Sequence, residues 1–262
     1  VIVCLGEHCD DSGESRSRAD IVLSPLQMCL LRKLKKTGKK IVLVVFAGRP
    51  LALTDAVSFA DAVLFCWHPG TEGGNAIANL LYGVVNPSGK LTMSLPRSVG
   101  QCPVYYNHFA TGKPKSPDTL ENHRFTSSYI DELNEPLYPF GYGLSYTSFS
   151  LSDIEISSDE MKRNGSVTVC GQLKNIGECS GREVVQLYIR DKSGSCARPV
   201  KELKGFRKIA LAAGEEQEIR FVISEETLAY FTASGEYKAE AGEFEIMLGT
   251  NSRDTIGVSL KL

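Results

Sequence analysis

Ile41-Val42-Leu43-Val44-Val45-Phe46 is a run of six apolar residues, five of them β-branched or aromatic. In a strand, alternate side chains point to opposite faces, so a run apolar at every position is covered on both sides. This marks the middle of a parallel sheet. Ala47-Gly48-Arg49-Pro50 follows and ends the strand. Upstream, Ser24 fits an N-cap, Pro25 the first helical position and Gln27 the third, which makes a capping box. Leu26, Leu30 and Leu34 form the expected apolar stripe of that helix, widened by Cys29 and Leu31, and Gly38 fits the C′ position. Before it, Val1-Ile2-Val3-Cys4-Leu5 reads as another buried strand. Downstream, an amphipathic stretch from Leu53 to Phe59 leads to a third strand, Ala62 to Trp67. Strands alternating with helices at this spacing require right-handed crossovers and a parallel sheet. A further helix is expected from Asn75 to Tyr82, with Thr71 as its cap and Ile77, Leu80 and Leu81 turned inward.

Open α/β sheets place ligands at the carboxyl ends of their strands. The loop after the first strand carries four carboxylates (Glu7, Asp10, Asp11, Glu14) and two arginines (Arg16, Arg18). Gly13 permits a positive-φ path just before Glu14, which projects that carboxylate outward as a general acid/base requires. The competing reading is a solvated loop whose charges pair with each other. His8, Cys9, Asp10 and Asp11 are adjacent metal-capable side chains, but their spacing matches no zinc or iron pattern, and neither metal nor cofactor is expected. The loop after the third strand, Trp67-His68-Pro69-Gly70-Thr71-Glu72-Gly73-Gly74, holds the single tryptophan. Trp67 is either a platform for a sugar ring or a core or rim aromatic, and His68 either a proton carrier or a loop hydrogen-bonder. Neither G-x-G-x-x-G, a Walker sequence nor G-x-S-x-G occurs.

The 262 residues suit two modest domains. A net charge of -2 offers no basic field for nucleic acid or an anionic membrane, and no apolar segment reaches the ~18 residues of a membrane span. Val1-Ile2-Val3 opens inside a strand without methionine, so the chain is expected to be a piece of a longer protein. The eight cysteines include no C-x-x-C pair, which favours a reducing, cytoplasmic setting over a periplasmic or secreted one. A Cys179–Cys196 disulfide is the rival reading.

From Gly112 to Glu135 the composition becomes polar and aperiodic, as in Lys113-Pro114-Lys115-Ser116-Pro117-Asp118, and reads as a surface loop. Phe140-Gly141-Tyr142-Gly143-Leu144-Ser145-Tyr146 is expected to be a hinge. Beyond it the period changes to two: Val167, Val169 and Leu173; Val185, Leu187 and Ile189; Ile219, Phe221 and Ile223; Phe244, Ile246 and Leu248; Ile256, Val258, Leu260 and Leu262. Half-buried antiparallel strands give this pattern, and some seven of them make an immunoglobulin-like sandwich. A parity slip between Leu151 and Ile154 predicts a bulge near Ser152 or Asp153. Asn164-Gly165 and Ala213-Gly214-Glu215 predict turns.

Taken in order, Ser12-Gly13-Glu14-Ser15-Arg16-Ser17-Arg18, Gly48-Arg49-Pro50, Trp67-x-Pro69-Gly70-Thr71-Glu72-Gly73-Gly74-Asn75-Ala76-Ile77-Ala78 and Asn86-Pro87-Ser88-Gly89-Lys90-Leu91 resemble glycoside hydrolase family 3. The bacterial β-glucosidases and β-xylosidases of that family are the nearer likeness. Pro96 to Gln101, Tyr105 to His108 and Asn134 to Tyr146 extend it, and Lys201-Glu202-Leu203-Lys204-Gly205-Phe206 resembles the fibronectin type III-like domain of many members. The resemblance implies an α/β sandwich domain over 1–111, truncated at its N-terminus, a connector over 112–146 and a fibronectin type III-like domain over 147–262. It implies that Glu14 is the acid/base of a retaining β-glycosidase and that the aspartate nucleophile belongs to an N-terminal barrel domain absent from this chain. The partners so implied are a β-glucoside or β-xyloside and that barrel. Trp67, His68, Tyr106 and His108 become candidates for the substrate side. Because a retaining glycosidase needs two carboxyl groups roughly 5–5.5 Å apart, the chain alone is expected to be inactive. The alternative, from a different class, is a non-catalytic carbohydrate-binding or interaction module.

Overall fold

The computed structural model describes residues 1–114 and 125–262. The surface-loop expectation for Lys115-Ser116-Pro117-Asp118 lies outside them. The first half consists of β1 (Ile2–Gly6), α1 (Pro25–Lys35), β2 (Val42–Phe46), α2 (Thr54–Phe59), β3 (Ala62–Phe65) and α3 (Gly73–Leu81). Its sheet is parallel, in the order β1-β2-β3, with Leu43 between Val3 and Val63. Ile41, Leu43, Val44 and Val45 have no exposed surface, as a central strand covered on both faces requires. The ladder continues one residue past β1, where the Glu7 N–H donates to the Phe46 carbonyl at 2.8 Å. Gly6 makes this possible. Its φ is +143°, and a Cβ there would lie 1.8 Å from the Phe46 oxygen.

The Ser24–Gln27 capping box is present, but the helix it starts presents a different face from the expected stripe. Gln27 Nε2 donates to the Gly6 carbonyl at 2.8 Å and turns the row containing Met28, Leu31 and Leu34 toward the sheet. Leu26 is left 83% exposed, and Leu30 and Cys29 are exposed as well. This tether to β1, rather than the cap itself, selects the face of a helix that has apolar residues on two sides. Gly38 sits two residues beyond the C-cap Lys36, with φ +70°, and donates to the Lys35 carbonyl. Thr71 caps nothing: α3 begins at Gly73 after Glu72, two residues earlier than the side-chain pattern predicts. Gly73 packs against Pro69, where a Cβ would come within 2.7 Å of the ring. Backbone proximity, rather than a cap, sets this start.

The second half contains β4 (Phe149–Ile156), β5 (Ser166–Asn175), β6 (Gly181–Asp191), β7 (Glu202–Leu211), β8 (Glu216–Ser224), the short α4 (Glu225–Leu228), β9 (Tyr230–Phe231), β10 (Tyr237–Lys238), β11 (Glu243–Gly249) and β12 (Thr255–Lys261). Two antiparallel sheets, β12-β11-β6-β7 and β4-β5-β8, face each other, and β9 and β10 form a separate hairpin. Their shared core is built from the predicted inward positions: Val167, Val169 and Leu173, then Val185, Leu187 and Ile189, then Ile219, Phe221 and Ile223, then Phe244, Ile246 and Leu248. Ile256 is the exception; it lies at the start of the edge strand β12 and is exposed. The register of β4 shifts between Ser152 and Glu155, and Asp153 takes φ +51°, which is the predicted bulge. All eight cysteines, Cys179 and Cys196 among them, are free thiols.

The run from Phe140 to Tyr146 is a brace rather than a hinge, because both halves bond to it. Gly141 N–H donates to the Leu91 carbonyl and Leu91 N–H to Tyr142, while Ser252 N–H donates to the Phe140 carbonyl. Asn86 Oδ1 accepts from Ser145 Oγ and the Tyr146 N–H, each at 2.8 Å. Lys90 Nζ bonds the Gly143 carbonyl at 2.6 Å and pairs with Glu183 of β6 at 2.7 Å. A backbone with this many fixed donors and acceptors loses the freedom that its glycines would otherwise give it.

Candidate active site

Three loops meet at the carboxyl ends of β1, β2 and β3. Glu7, the first residue beyond β1, organises them. Its carboxylate is 2% exposed and lies 3.1 Å from Arg18 Nη1 and 2.9 Å from Arg49 Nε, and it accepts the Gly48 N–H at 3.2 Å. Enclosing a carboxylate this deeply is costly unless cations and hydrogen bonds meet it, as they do here. Arg49 then reaches outward, and its Nη2 donates to the carbonyls of Asp11 and Arg16 (2.9 Å to Arg16). From the third loop, His68 Nε2 lies 3.5 Å from Ser12 Oγ. Residues 11, 12 and 16 are thus each tied to another loop, and Arg18 is tied to Glu7 at the end of β1.

Gly48 is required for this approach. A Cβ at that position would lie 1.9 Å from Ser12 Oγ and 2.6 Å from His68 Nε2. Between the tethered residues, Gly13 takes φ +121° and Ser15 φ +60°. The serine conformation costs roughly 1–2 kcal/mol for an L-residue. Glu14 stands between these two positions, exposed, with neither hydrogen bond nor ion pair to any described residue. A fixed loop therefore presents a free carboxylate to the outside.

The other candidate residues divide into two groups. His68 joins the Glu14 loop through Ser12, and Trp67 precedes it with φ +53°, half-buried and edge-on to Phe65 at 4.5 Å. Tyr106 and His108 belong to the contact with the second half. Tyr106 stacks on Phe140 at 4.6 Å, meets Tyr188 of β6 edge-on at 5.6 Å, and accepts the Leu203 N–H at 3.3 Å. The His108 carbonyl accepts from Val200 N–H at 2.9 Å while its ring turns toward the Phe109 carbonyl. Glu7 and Arg49 are the residues that sequence reasoning counted without assigning a task. An acidic residue directly after a strand-ending glycine, with an arginine after the next strand, is the signal that was available.

Residues 1–146 match the model of the glycosyl hydrolase family 3 C-terminal domain. The chain belongs to glycoside hydrolase family 3. Residues 183–252 match a fibronectin type III-like domain. Among curated relatives, a periplasmic β-glucosidase of Salmonella typhimurium is 48% identical over 252 residues, covering 96% of this chain and 33% of the relative. A β-xylosidase of Formosa agariphila is 36% identical over 253 residues, covering 97% and 34%. The crystal structure of a Listeria innocua β-glucosidase in complex with glucose superposes with a TM-score of 0.93 at 42% identity, over 99% of this chain and 36% of that one. The chain spans about a third of the length of its curated relatives.

Proposed function

We propose that this chain supplies the general acid/base of a retaining, exo-acting β-glycosidase that hydrolyses terminal β-D-glucosyl residues, and that Glu14 is that acid/base. The observation carrying the proposal is the free Glu14 carboxylate on a loop tethered through Glu7, Arg18, Arg49 and His68. A proton donor must hold its position to within a fraction of an ångström and must not spend its oxygen lone pairs on neighbours. The relatives named β-glucosidase and β-xylosidase support the reaction class.

In this mechanism a second carboxylate attacks the anomeric carbon while Glu14 protonates the departing oxygen. Glu14 then takes a proton from water to release the sugar. The nucleophile is assigned to an aspartate on a barrel domain of the parent protein. Glu14 is exposed here, so the surface that would enclose it and the carboxylate that would face it are assigned to that domain. The isolated chain is accordingly assigned no turnover. The fibronectin type III-like unit, read as 147–262, braces the catalytic half through Tyr106, Lys90 and the Phe140–Tyr146 run.

The test compares leaving groups in the full-length parent carrying Glu14→Gln. Alkyl or cellobiose-like glucosides, whose leaving oxygen must be protonated, are expected to lose about 10³-fold or more in kcat/KM. An aryl glucoside with a weakly basic leaving group should lose much less in that ratio, because its departure needs no proton. Equal losses on both substrates, or normal turnover on the alkyl glucoside, would refute the assignment.

A further inference from the structure

Between β1 and Glu14, one turn collects three kinds of metal donor that the acid/base chemistry leaves unused. His8, Cys9 and Asp10 are consecutive and exposed, and the 3₁₀ turn at Cys9–Asp11 brings one donor atom from each within 4.8 Å of the other two. His8 Nδ1 lies 3.7 Å from Cys9 Sγ and 3.4 Å from Asp10 Oδ2. Tetrahedral zinc with bonds of about 2.3 Å to sulfur and about 2.0–2.1 Å to nitrogen and oxygen has nitrogen–sulfur and nitrogen–oxygen edges of about 3.6 and 3.3 Å. The two edges from His8 agree with those values to within about 0.1 Å, while the Cys9–Asp10 edge, bounded by 4.8 Å, closes by side-chain rotation as a cation binds. The usual zinc patterns set their ligands apart along the chain, so these consecutive residues matched none of them.

Three further contacts prepare the site. The Asp10 N–H donates to His8 Nδ1 at 3.3 Å, so this nitrogen presents its lone pair, and a cation would displace only one long hydrogen bond. Asp11 holds the turn from behind: its carboxylate accepts the His8 N–H at 3.2 Å and its carbonyl accepts from Arg49. Asp11 is therefore occupied and is not counted as a ligand.

We propose that His8, Cys9 and Asp10 form a surface site for a thiophilic divalent cation, zinc or cadmium, with solvent in the fourth position. On binding, the Cys9 thiol releases its proton to solvent and the sulfur electron pair goes to the metal, so uptake is coupled to proton release. The site does not depend on the glycosidase reading, since none of the three residues has a part in it.

The 262-residue chain titrated with cadmium alone tests this through the thiolate-to-cadmium charge-transfer absorbance in the ultraviolet. One equivalent should bind in wild type. The band should vanish in Cys9→Ser and stay unchanged in Cys4→Ser, while affinity falls at least about tenfold in both His8→Ala and Asp10→Asn. Circular dichroism checks folding, and Asp10→Asn also leaves the His8 cap in place. The proposal is overturned if wild type binds no cadmium or if the band survives Cys9→Ser. It is equally overturned if His8→Ala and Asp10→Asn bind as tightly as wild type, which would mean a lone thiol.

Discussion

Replacing Glu7 by glutamine keeps the shape of the side chain and removes its charge, leaving Arg18 and Arg49 facing each other across a buried amide. At 3.1 and 2.9 Å, and with an effective dielectric of about 20, each pair has a gross attraction of roughly 5 kcal/mol. Desolvation of the three groups cancels much of that, and removing one partner of a buried pair typically costs about 3–5 kcal/mol. Arg18 and Arg49 retain 31% and 18% exposure, so solvent screens them in part and the lower end, about 3 kcal/mol, applies. With a urea slope of about 2 kcal/mol per molar, the midpoint of the first half should fall by about 1.5 M. The assay is urea unfolding of this chain followed by Trp67 fluorescence, since the only tryptophan lies in that half. In the full-length parent the same substitution should lower kcat by about 10²-fold with little change in KM, because it misplaces the loop that carries Glu14. A destabilisation below about 0.5 kcal/mol would show that Glu7 is an ordinary loop charge and that the tethering argument is wrong.

Gly48→Ala should destabilise the first half by about 2 kcal/mol or more, since its methyl would overlap Ser12 and His68 and either strand or loop must move; an unchanged urea midpoint refutes the close approach. Lys90→Met should uncouple the two halves, because Glu183, like Lys90 about nine-tenths buried, loses its cation at a cost of about 3 kcal/mol. Calorimetry should then resolve two transitions, and a single unshifted one would contradict the bracing role. The Lys40 ammonium, with help from the Ile41 N–H, holds the Asp61 carboxyl below the usual aspartate range. A depressed folded-state pKa stabilises above the unfolded value of about 3.9 and is lost as pH falls through the lowered one. The stability difference between wild type and Asp61→Asn should therefore be present at pH ~7 and shrink toward pH ~2; a difference constant with pH excludes the linkage.

Regularities of short range were legible in the chain itself. The run from Ile41 to Phe46 declares a strand buried on both faces because every position is apolar, and the structure buries it so. The alternation from Val167 onward declares the sandwich, and even its break at Asp153 can be read, because a period of two tolerates no silent insertion. The Ser24–Gln27 cap is equally local. Which side of α1 faces the sheet is not, since Leu26 and Leu31 are equally apolar and only the Gln27 bond to Gly6, twenty-one residues away, selects between them. The same holds for the candidate site. Glu14 stands out through its Gly13 neighbour, but Glu7 reveals its task only when Arg18 and Arg49 close around it. Likewise Tyr106 shows its part only when Tyr188 and Leu203 arrive from the second half. Local conformational preference depends on a few adjacent residues and can be read from them. Charge enclosure and loop tethering depend on which distant segments the fold brings within about 3 Å, and only the tertiary structure decides that.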